Sequence, residues 1–454
     1  MPIQTQNPAT GEIVKTFDAH TDADVDLILA KSVVAQEELR MWPFEKRAGH
    51  MRKVAQILRD EAEQVGEIVT LEMGKTLASA IAEVKKCALG ADYYADTAES
   101  HLSDDVVETG ATASYRAYLP LGPVLAVMPW NYPIWQVVRF AAPALMAGNT
   151  GLLKHASNVP QCALYIEDVF KRAGFPEGAF QTLLIPGSKV ERVLRDDRVK
   201  AATLTGSEPA GASVASICGE EIKPTVLELG GSDAFIIMPS ADLDTAIKTG
   251  LKARNQNNGQ SCIAAKRFIV HADIYEDVRN RLVDATAALR VGDPTHEDTD
   301  IGPLVNEDAR AEIAGQVEAA VKDGARLLTG GEIIEGDGWF FKPGVLENIS
   351  KDSNAYHEEI FGPVAALYKV DDIDAAIELA NDTPFGLGSS IWTTDKSEQD
   401  KAIREIEAGA TFVNAMTSSH PALPFGGIKR SGYGRELAAE GIRAFCNVKT
   451  VYIA

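Results

Sequence analysis

Apolar and polar positions follow two different periods along this chain. From residue 22 to about residue 100, apolar residues recur three and four positions apart, which predicts a helical N-terminal region. Residues 112–119 are instead rich in strand formers and precede Pro120. We therefore predict a protruding β-ribbon after the helices.

Beyond residue 123, short apolar segments alternate with helical segments. The first series of predicted strands comprises 124–128, 151–154, 180–185, 201–205, 225–229 and 234–238, with helices that include 160–173 and 188–196. A second series of strands comprises 267–270, 364–370, 389–392 and 411–414. This alternation is typical of parallel, doubly wound sheets. Two such units meeting near residues 229–260 would leave a ligand-binding cleft between them.

Charge and cysteine content exclude several classes of protein. With 44 Lys and Arg against 65 Asp and Glu, the net charge is −21, which argues against a nucleic-acid partner. The five cysteines form no CxxC pair, so we expect no disulfide framework and a reducing, cytoplasmic compartment. Neither a signal peptide nor a membrane-spanning run is visible, and no histidine spacing suits a metal. We accordingly expect no membrane partner and no metal site.

Two candidate reactive groups are a glutamate in the first series of strands and a cysteine after it. Cys262 lies in a polar, glycine-containing loop, where an exposed thiol would be a nucleophile. The alternative is a buried, inert cysteine. Glu228 lies between two leucines, where burial would raise its pKa and suit it to general-base catalysis. The alternative is a glutamate at a strand end in water.

Three further segments place polar groups at strand ends. Asn131 follows a strand, and its amide is suited to a developing oxyanion, although a helix cap is the alternative. Trp135 and Arg139 share one face of the helix predicted after it. The turn at residues 206–211 opens a helix and would suit a phosphate, or would be an ordinary βα turn. Lys154 and Ser157 end another strand at the same sheet edge, which ligands favour.

Taken together, these segments resemble the aldehyde dehydrogenase superfamily. The motifs PWN, LELGG, GQSC, EEIFGPV and PFGG-K-SG occur in that order, and the resemblance covers nearly the whole chain. It implies an α/β, aldehyde dehydrogenase-like fold with two doubly wound α/β domains and a small β oligomerisation ribbon. The implied parts are a cofactor-binding domain (1–105 and 123–228), a catalytic domain (229–420) and oligomerisation elements (106–122 and 421–454). A homodimer or homotetramer is expected, with the strand-like residues 448–453 pairing with a neighbouring subunit.

The resemblance also implies roles for individual residues. Cys262 would attack the aldehyde carbon, the Asn131 side chain and the Cys262 backbone N–H would hold the oxyanion, and Glu228 would activate the hydrolytic water. The implied cofactor-binding residues are Trp130, Asn131, Lys154, Ser157, Gly206, Ser207, Glu208, Leu229, Glu359 and Phe361.

The residue three positions after Lys154 distinguishes the two nicotinamide cofactors. Many NAD-preferring members of the superfamily have a glutamate there, which would pair with the ribose 2′-hydroxyl and repel a 2′-phosphate. Here the residue is Ser157. We therefore predict that NADP is preferred, with NAD as the second possible cofactor.

The expected substrate is a small aldehyde. The segments PWNYPIWQVVR, LLKHA and NGQSCIAAKR look most like those of succinate-semialdehyde dehydrogenases. Arg139 would contact the distal carboxylate of that substrate, with Ser419 and Trp135 beside it. With this substrate, the enzyme would act in the conversion of 2-oxoglutarate or 4-aminobutyrate to succinate. This expectation rests only on the substrate assignment. The alternatives are another aldehyde (glutarate semialdehyde or a simple aliphatic one), a non-redox cysteine hydrolase, and a non-catalytic binding role.

Overall fold

The computed structural model describes residues 2–454 and begins with a small hairpin and four helices. Strands β1 (Ile3–Gln6) and β2 (Ile13–Phe17) are antiparallel. The helices that follow are α1 (Asp22–Leu39), α2 (Phe44–Asp60), α3 (Ala62–Met73) and α4 (Leu77–Leu102). Thr21 and Asp24 form a capping box at the start of α1, and Thr76 caps α4. Helices α2 and α4 pack against each other through apolar residues, as their periodicity predicts.

A short three-stranded ribbon leaves this helical region. It comprises β3 (Asp105–Val106), β4 (Ala113–Pro120) and a strand from the other end of the chain, β18 (Cys446–Ile453). β18 is antiparallel to β4 of its own chain along its whole length. Its other edge has no partner strand within residues 2–454, and Val448 and Tyr452 are exposed there. The predicted pairing of this strand with a second subunit stays a prediction.

The first large sheet has six strands in the order β17-β9-β8-β5-β6-β7. Its strands are β5 (Pro123–Met128), β6 (Thr150–His155), β7 (Phe180–Thr182), β8 (Ala201–Thr205), β9 (Thr225–Glu228) and β17 (Gly432–Tyr433). The first five are parallel, and the two-residue β17 is antiparallel to β9. The helices between them are α5 (Trp135–Ala147), α6 (Pro160–Arg172), α7 (Val190–Leu194) and α8 (Glu208–Glu220). Apolar clusters cover both faces, as a parallel sheet requires.

The second large sheet has seven strands in the order β12-β13-β14-β11-β10-β15-β16. Its strands are β10 (Ala234–Ile237), β11 (Arg267–His271), β12 (Arg326–Thr329), β13 (Gly344–Glu347), β14 (Val364–Val370), β15 (Gly388–Trp392) and β16 (Ala410–Val413). All are parallel except β12. The helices of this region are α9 (Leu243–Asn255), α10 (Tyr275–Ala287), α11 (Glu307–Lys322), α12 (Asn354–His357), α13 (Ile373–Asn381) and α14 (Lys396–Glu405). Helix α15 (Ala438–Arg443) follows β17 and packs against α4 and α5.

The predicted strands coincide with observed ones to within a few residues. The helix predicted after Asn131 is α5, which begins at Trp135 because a buried carboxylate, that of Glu83, accepts from the amides of Ile134 and Trp135. The pair β12 and β13 was not predicted, because β12 is short and partly exposed at the sheet edge. Over residues 2–454, the structure contains no helix with the length and apolarity that a bilayer crossing requires.

Candidate active site

A cavity of about 880 Å³ lies where elements of the two large sheets and the N-terminal helices meet. Its wall includes residues of α4 and α5 from one side and residues 255–263 and 416–425 from the other. Cys262 is on this wall and is partly exposed. Cys262 therefore lies at the boundary between the cavity and the apolar core, partly exposed as a residue and packed against that core.

The loop that carries Cys262 is held in an unusual backbone conformation. Asn257 and Asn258 have φ angles of 58° and 56°, which asparagine tolerates better than most residues. The Asn257 amide donates to the carbonyls of Asn131 (2.8 Å) and Gln260 (2.9 Å). Gly259 has φ +76°, and a Cβ there would collide with the backbone of Pro363. These contacts fix the loop against the two segments that carry PWN and EEIFGPV.

Two buried cations that the sequence analysis missed hold the same loop. Lys266 donates to the carbonyls of Ser261 (2.9 Å) and Cys262 (2.6 Å) and pairs with Glu359 (2.8 Å). Arg254 donates to the carbonyls of Gly259 (2.7 Å) and Gly362 (2.5 Å). A lysine directly before an apolar strand was the available signal for Lys266. Both residues tie the cysteine loop to the segment around Glu359.

The thiol of Cys262 is electrostatically unfavourable to ionise in this state. Burial raises the pKa of Cys262 to about 12, while the positive charges of Lys266 and Arg139 act in the opposite direction. A thiolate is the nucleophilic form, so attack requires a base that accepts this proton, helped by any further positive charge that lowers the pKa of the thiol.

Asn131 lies in a turn whose backbone is held by hydrogen bonds with buried side chains. Its side-chain amide donates to the Gln260 carbonyl (3.1 Å), which leaves the second hydrogen of the same amide for another acceptor. Glu83 accepts from the amides of Ile134 and Trp135 (both 2.9 Å), and His155 lies 2.9 Å from the Pro133 carbonyl. Burial lowers the pKa of His155 to about 4, so this imidazole is neutral and donates to that carbonyl.

Glu228 ends β9 and is almost fully buried. Neither of its carboxylate oxygens has a hydrogen-bond partner among residues 2–454. Gly426 packs directly against this carboxylate, where any side chain would overlap it. Burial, followed by the nearby Glu436 carboxylate, raises the pKa of Glu228 well above its ordinary value, against the positive charges of Arg139 and Arg435. Such a group has the proton affinity of a general base.

Arg139, predicted to bind a substrate carboxylate, has a carboxylate partner within the protein. Its guanidinium forms a buried ion pair with Glu436, donates to Thr205 (3.3 Å) and lies over the Phe425 ring (4.7 Å to the centroid). The other two predicted substrate residues are brought together, since the Trp135 indole N–H donates to the Ser419 hydroxyl at 3.1 Å. All three line the cavity with Cys262.

The predicted cofactor residues cluster at the carboxyl edge of the first sheet. Lys154 lies near the end of β6 and Ser157 follows that strand, and Lys154 forms no ion pair within residues 2–454. Ser207 precedes α8 and leaves the first amides of that helix without a side-chain cap. A lysine without an ion pair and an uncapped helix N-terminus at the same sheet edge fit a phosphate-bearing dinucleotide. Burial lowers the pKa of Lys154.

The remaining predicted cofactor residues connect this edge to the cysteine side. The Gly206 amide donates to the Glu228 carbonyl at 3.0 Å, and Leu229 packs on Gly211 of α8. The rings of Trp130 and Phe361 meet edge to face, with centroids 5.9 Å apart. Glu359 packs against Gly230.

Glu208 differs from these residues, because its carboxylate is engaged by Arg430, whose Nε lies 2.7 Å away. That ion pair lowers the pKa of Glu208. Within residues 2–454, no group of three or more His, Cys, Asp or Glu side chains is placed to hold a metal ion.

The chain is similar in sequence and in structure to known proteins. The profile of the aldehyde dehydrogenase family matches residues 1–451. Succinate-semialdehyde dehydrogenase [NADP(+)] 1 of Mycobacterium tuberculosis (strain ATCC 25618 / H37Rv) is 60% identical over 100% of both chains. Succinate-semialdehyde dehydrogenase [NADP(+)] of Mycobacterium avium (strain 104) is 61% identical, over 100% of this chain and 97% of the relative. The crystal structure of succinic semialdehyde dehydrogenase from Streptococcus pyogenes in complex with NADP+ superposes with a TM-score of 0.97 at 40% identity, covering 99% of both chains.

Proposed function

Because the chain belongs to the aldehyde dehydrogenase family, we propose that it oxidises succinate semialdehyde to succinate with NADP+ as the hydride acceptor. The observation that carries this proposal is the partly exposed Cys262, which opens onto a cavity also lined by Trp135, Arg139 and Ser419. The names of the relatives from Mycobacterium and Streptococcus point to the same substrate and cofactor.

The first chemical step is attack by the Cys262 sulfur on the aldehyde carbon, after the thiol has given up its proton to water in the cavity. The C=O bond becomes C–O⁻, and the oxyanion is held by the free hydrogen of the Asn131 amide and the Cys262 backbone N–H. The nicotinamide, when bound, supplies the acceptor for the hydride. Loss of that hydride from the thiohemiacetal carbon leaves an acyl thioester on Cys262.

Hydrolysis of the thioester is the task of Glu228. Its unbonded carboxylate takes a proton from water, the water oxygen attacks the acyl carbon, and the C–S bond breaks to release succinate. Since a protonated carboxyl cannot act as a base, the raised pKa of Glu228 places the acid limb of activity at a higher pH than an ordinary glutamate would.

The cofactor assignment rests on Lys154 and Ser157. We assign Lys154 to the ribose side of the dinucleotide and Ser157 to the position beside the 2′-phosphate. Serine carries no negative charge, so it does not repel the phosphate as a glutamate at this position would. Gly206, Ser207, Leu229, Trp130, Glu359 and Phe361 complete the proposed cofactor site. Glu208 contributes through Arg430, to which it is paired.

Assembly and location are finer proposals. The open edge of β18 and its exposed apolar side chains favour a homodimer or homotetramer, which sedimentation analysis would measure. All five cysteines are free, as they would be in a reducing compartment such as the cytoplasm. The step from 2-oxoglutarate or 4-aminobutyrate towards succinate stays a prediction tied to the substrate.

The direct test is a panel of aldehydes of varied length and charge, each assayed with NADP+ and with NAD+. We expect the largest kcat/KM for succinate semialdehyde with NADP+. A preference for a neutral or longer aldehyde would overturn the substrate but leave the reaction class. Aldehyde consumption without any reduced nicotinamide would overturn the reaction class itself.

Ser157→Glu tests the cofactor assignment. The added charge would lie beside the 2′-phosphate, so kcat/KM with NADP+ should fall about 10-fold or more relative to NAD+. Ser157→Gln is the matched control, because it adds the same bulk without charge. If both variants shift the ratio equally, bulk and not charge determines the preference.

A further inference from the structure

Lys86 is a cation on the wall of the cavity that no motif singled out. It lies on α4, is half-buried, and lines the cavity together with Cys262. Its ammonium group donates to the Ser419 hydroxyl at 2.7 Å and lies 4.7 Å from the centroid of the Trp135 ring. The contacts of Lys86 are thus the two residues predicted to line the substrate.

The other cations of the cavity are differently placed. Arg139 is paired with Glu436, and Lys248 and Lys252 are exposed at the rim. Lys86, in contrast, forms no ion pair within residues 2–454. A half-buried ammonium without an anion is unfavourable, and a bound anion would relieve that cost.

The nearby carboxylate of Glu83 does not serve Lys86. Although it lies on the same helix, Glu83 pairs with Lys75 and accepts from the amides that begin α5. Its oxygens are therefore engaged by these groups, although Glu83 also lines the cavity, and Lys86 has no direct ion-pair partner within residues 2–454.

The Ser419 hydroxyl adds a donor at the same point. Its oxygen accepts hydrogen bonds from Lys86 (2.7 Å) and from the Trp135 indole (3.1 Å). A hydroxyl oxygen has two lone pairs, so its own hydrogen remains to be donated to a third group. A carboxylate placed beside Lys86 would accept that hydrogen and an ammonium hydrogen together.

We infer that Lys86 is the cation that binds the distal carboxylate of the aldehyde substrate, with Ser419 as the second donor. Arg139 lines the same cavity, but its charge is already shared with Glu436. This inference rests on the proposed function, because it concerns the same cavity and an aldehyde that carries a carboxylate.

The surroundings of Lys86 predict that substrate binding depends on pH. Burial, followed by the positive charge of Arg139, lowers the pKa of Lys86 to about 8, against the opposing effects of Cys87 and Glu83 on its own helix and Cys262 across the cavity. The ammonium is lost as the pH rises through this value. The KM for a carboxylate-bearing aldehyde should therefore rise above about pH 8, and the KM for a neutral aldehyde should not.

The test compares Lys86→Met with the unaltered enzyme on succinate semialdehyde and on butanal, a neutral aldehyde with the same number of carbons, at saturating NADP+. We expect the KM for succinate semialdehyde to rise about 10- to 100-fold with little change in kcat, because ground-state and transition-state binding are lost equally. The kcat/KM for butanal should stay within about 3-fold.

Two further variants separate charge from folding. Lys86→Arg should keep a KM close to that of the unaltered enzyme, and should keep it at about pH 9.5, since a guanidinium stays protonated there. Lys85→Met is the matched control, because Lys85 is the exposed neighbour on α4 and should change nothing. Circular dichroism checks that each variant is folded.

The outcomes are distinguishable. If the unaltered enzyme does not oxidise succinate semialdehyde, the proposed function fails whatever Lys86 does. If it does, but Lys86→Met loses nothing on this substrate or loses equally on butanal, only the assignment of Lys86 fails. A KM for succinate semialdehyde that does not rise between about pH 7 and about pH 10 would also overturn the assignment.

Discussion

The two candidate reactive groups, Cys262 and Glu228, are held in opposite ways. The backbone of the Cys262 loop receives hydrogen bonds from Lys266 and Asn257, and this holds the sulfur in place. The Glu228 carboxylate, by contrast, has no hydrogen-bond partner among residues 2–454, and its proton affinity is set by burial and by Glu436. A nucleophile benefits from a fixed position, whereas a general base needs free lone pairs and a raised pKa.

The largest loss of activity is expected when the sulfur of Cys262 is removed. In Cys262→Ala, NADPH formation from any aldehyde should fall about 10⁴-fold or more, because no acyl-enzyme can form. Cys446→Ala is the matched control, since Cys446 is also free and partly exposed but lies outside the cavity. Initial rates followed by nicotinamide absorbance measure both. Appreciable turnover in Cys262→Ala would refute covalent catalysis at this residue.

Removing the base should affect a later step. In Glu228→Gln we expect steady-state turnover to fall about 10²- to 10⁴-fold, because the thioester forms but water is not activated. Rapid mixing should still show a burst of NADPH close to one per active site. Loss of the burst would mean that Glu228 also deprotonates Cys262, and the nucleophile and the base would no longer act independently.

A smaller effect is expected when the support of the nucleophile is weakened. In Lys266→Met, kcat/KM should fall about 10- to 100-fold, since the loop loses two hydrogen bonds and Glu359 loses its partner. Because the charge of Lys266 opposes the raised pKa of Cys262, alkylation of the thiol should also be slower at each pH below about 12. Iodoacetamide kinetics measure this. An unchanged alkylation profile would assign Lys266 to structure alone.

The smallest effect should come from Glu436→Gln. Glu436 raises the pKa of Glu228, so its neutralisation should lower that pKa and move the acid limb of kcat to lower pH by about one unit. At alkaline pH, where Glu228 is ionised in both enzymes, kcat should be nearly equal. A shift to higher pH would show that the ion pair with Arg139 matters more for position than for charge.

Much of this architecture could be predicted from local sequence. Strands such as Ala201–Thr205 are short apolar runs between turns, and the motifs around Cys262 and Glu228 predicted the family and the α/β fold, which the comparisons confirm. The roles of the individual site residues remain predictions.

What local sequence could not supply is the set of partners across the cavity. Arg139 meets Glu436 and Lys86 meets Ser419, pairs that are hundreds of positions apart in the chain. Lys86 lies three residues after Glu83, a spacing that resembles a solvated helix face. Only the folded molecule shows that these two side chains have different partners.

The short strand β17 has a consequence for the order in which the active site forms during translation. Gly432 of β17 pairs with Glu228, and Gly426 and Glu436 from the same segment form the surroundings of its carboxylate. The ribosome makes these residues some 200 positions after Glu228. A nascent chain that already contains the cysteine loop therefore still lacks the environment of its base, and hydrolytic competence arrives only late in translation.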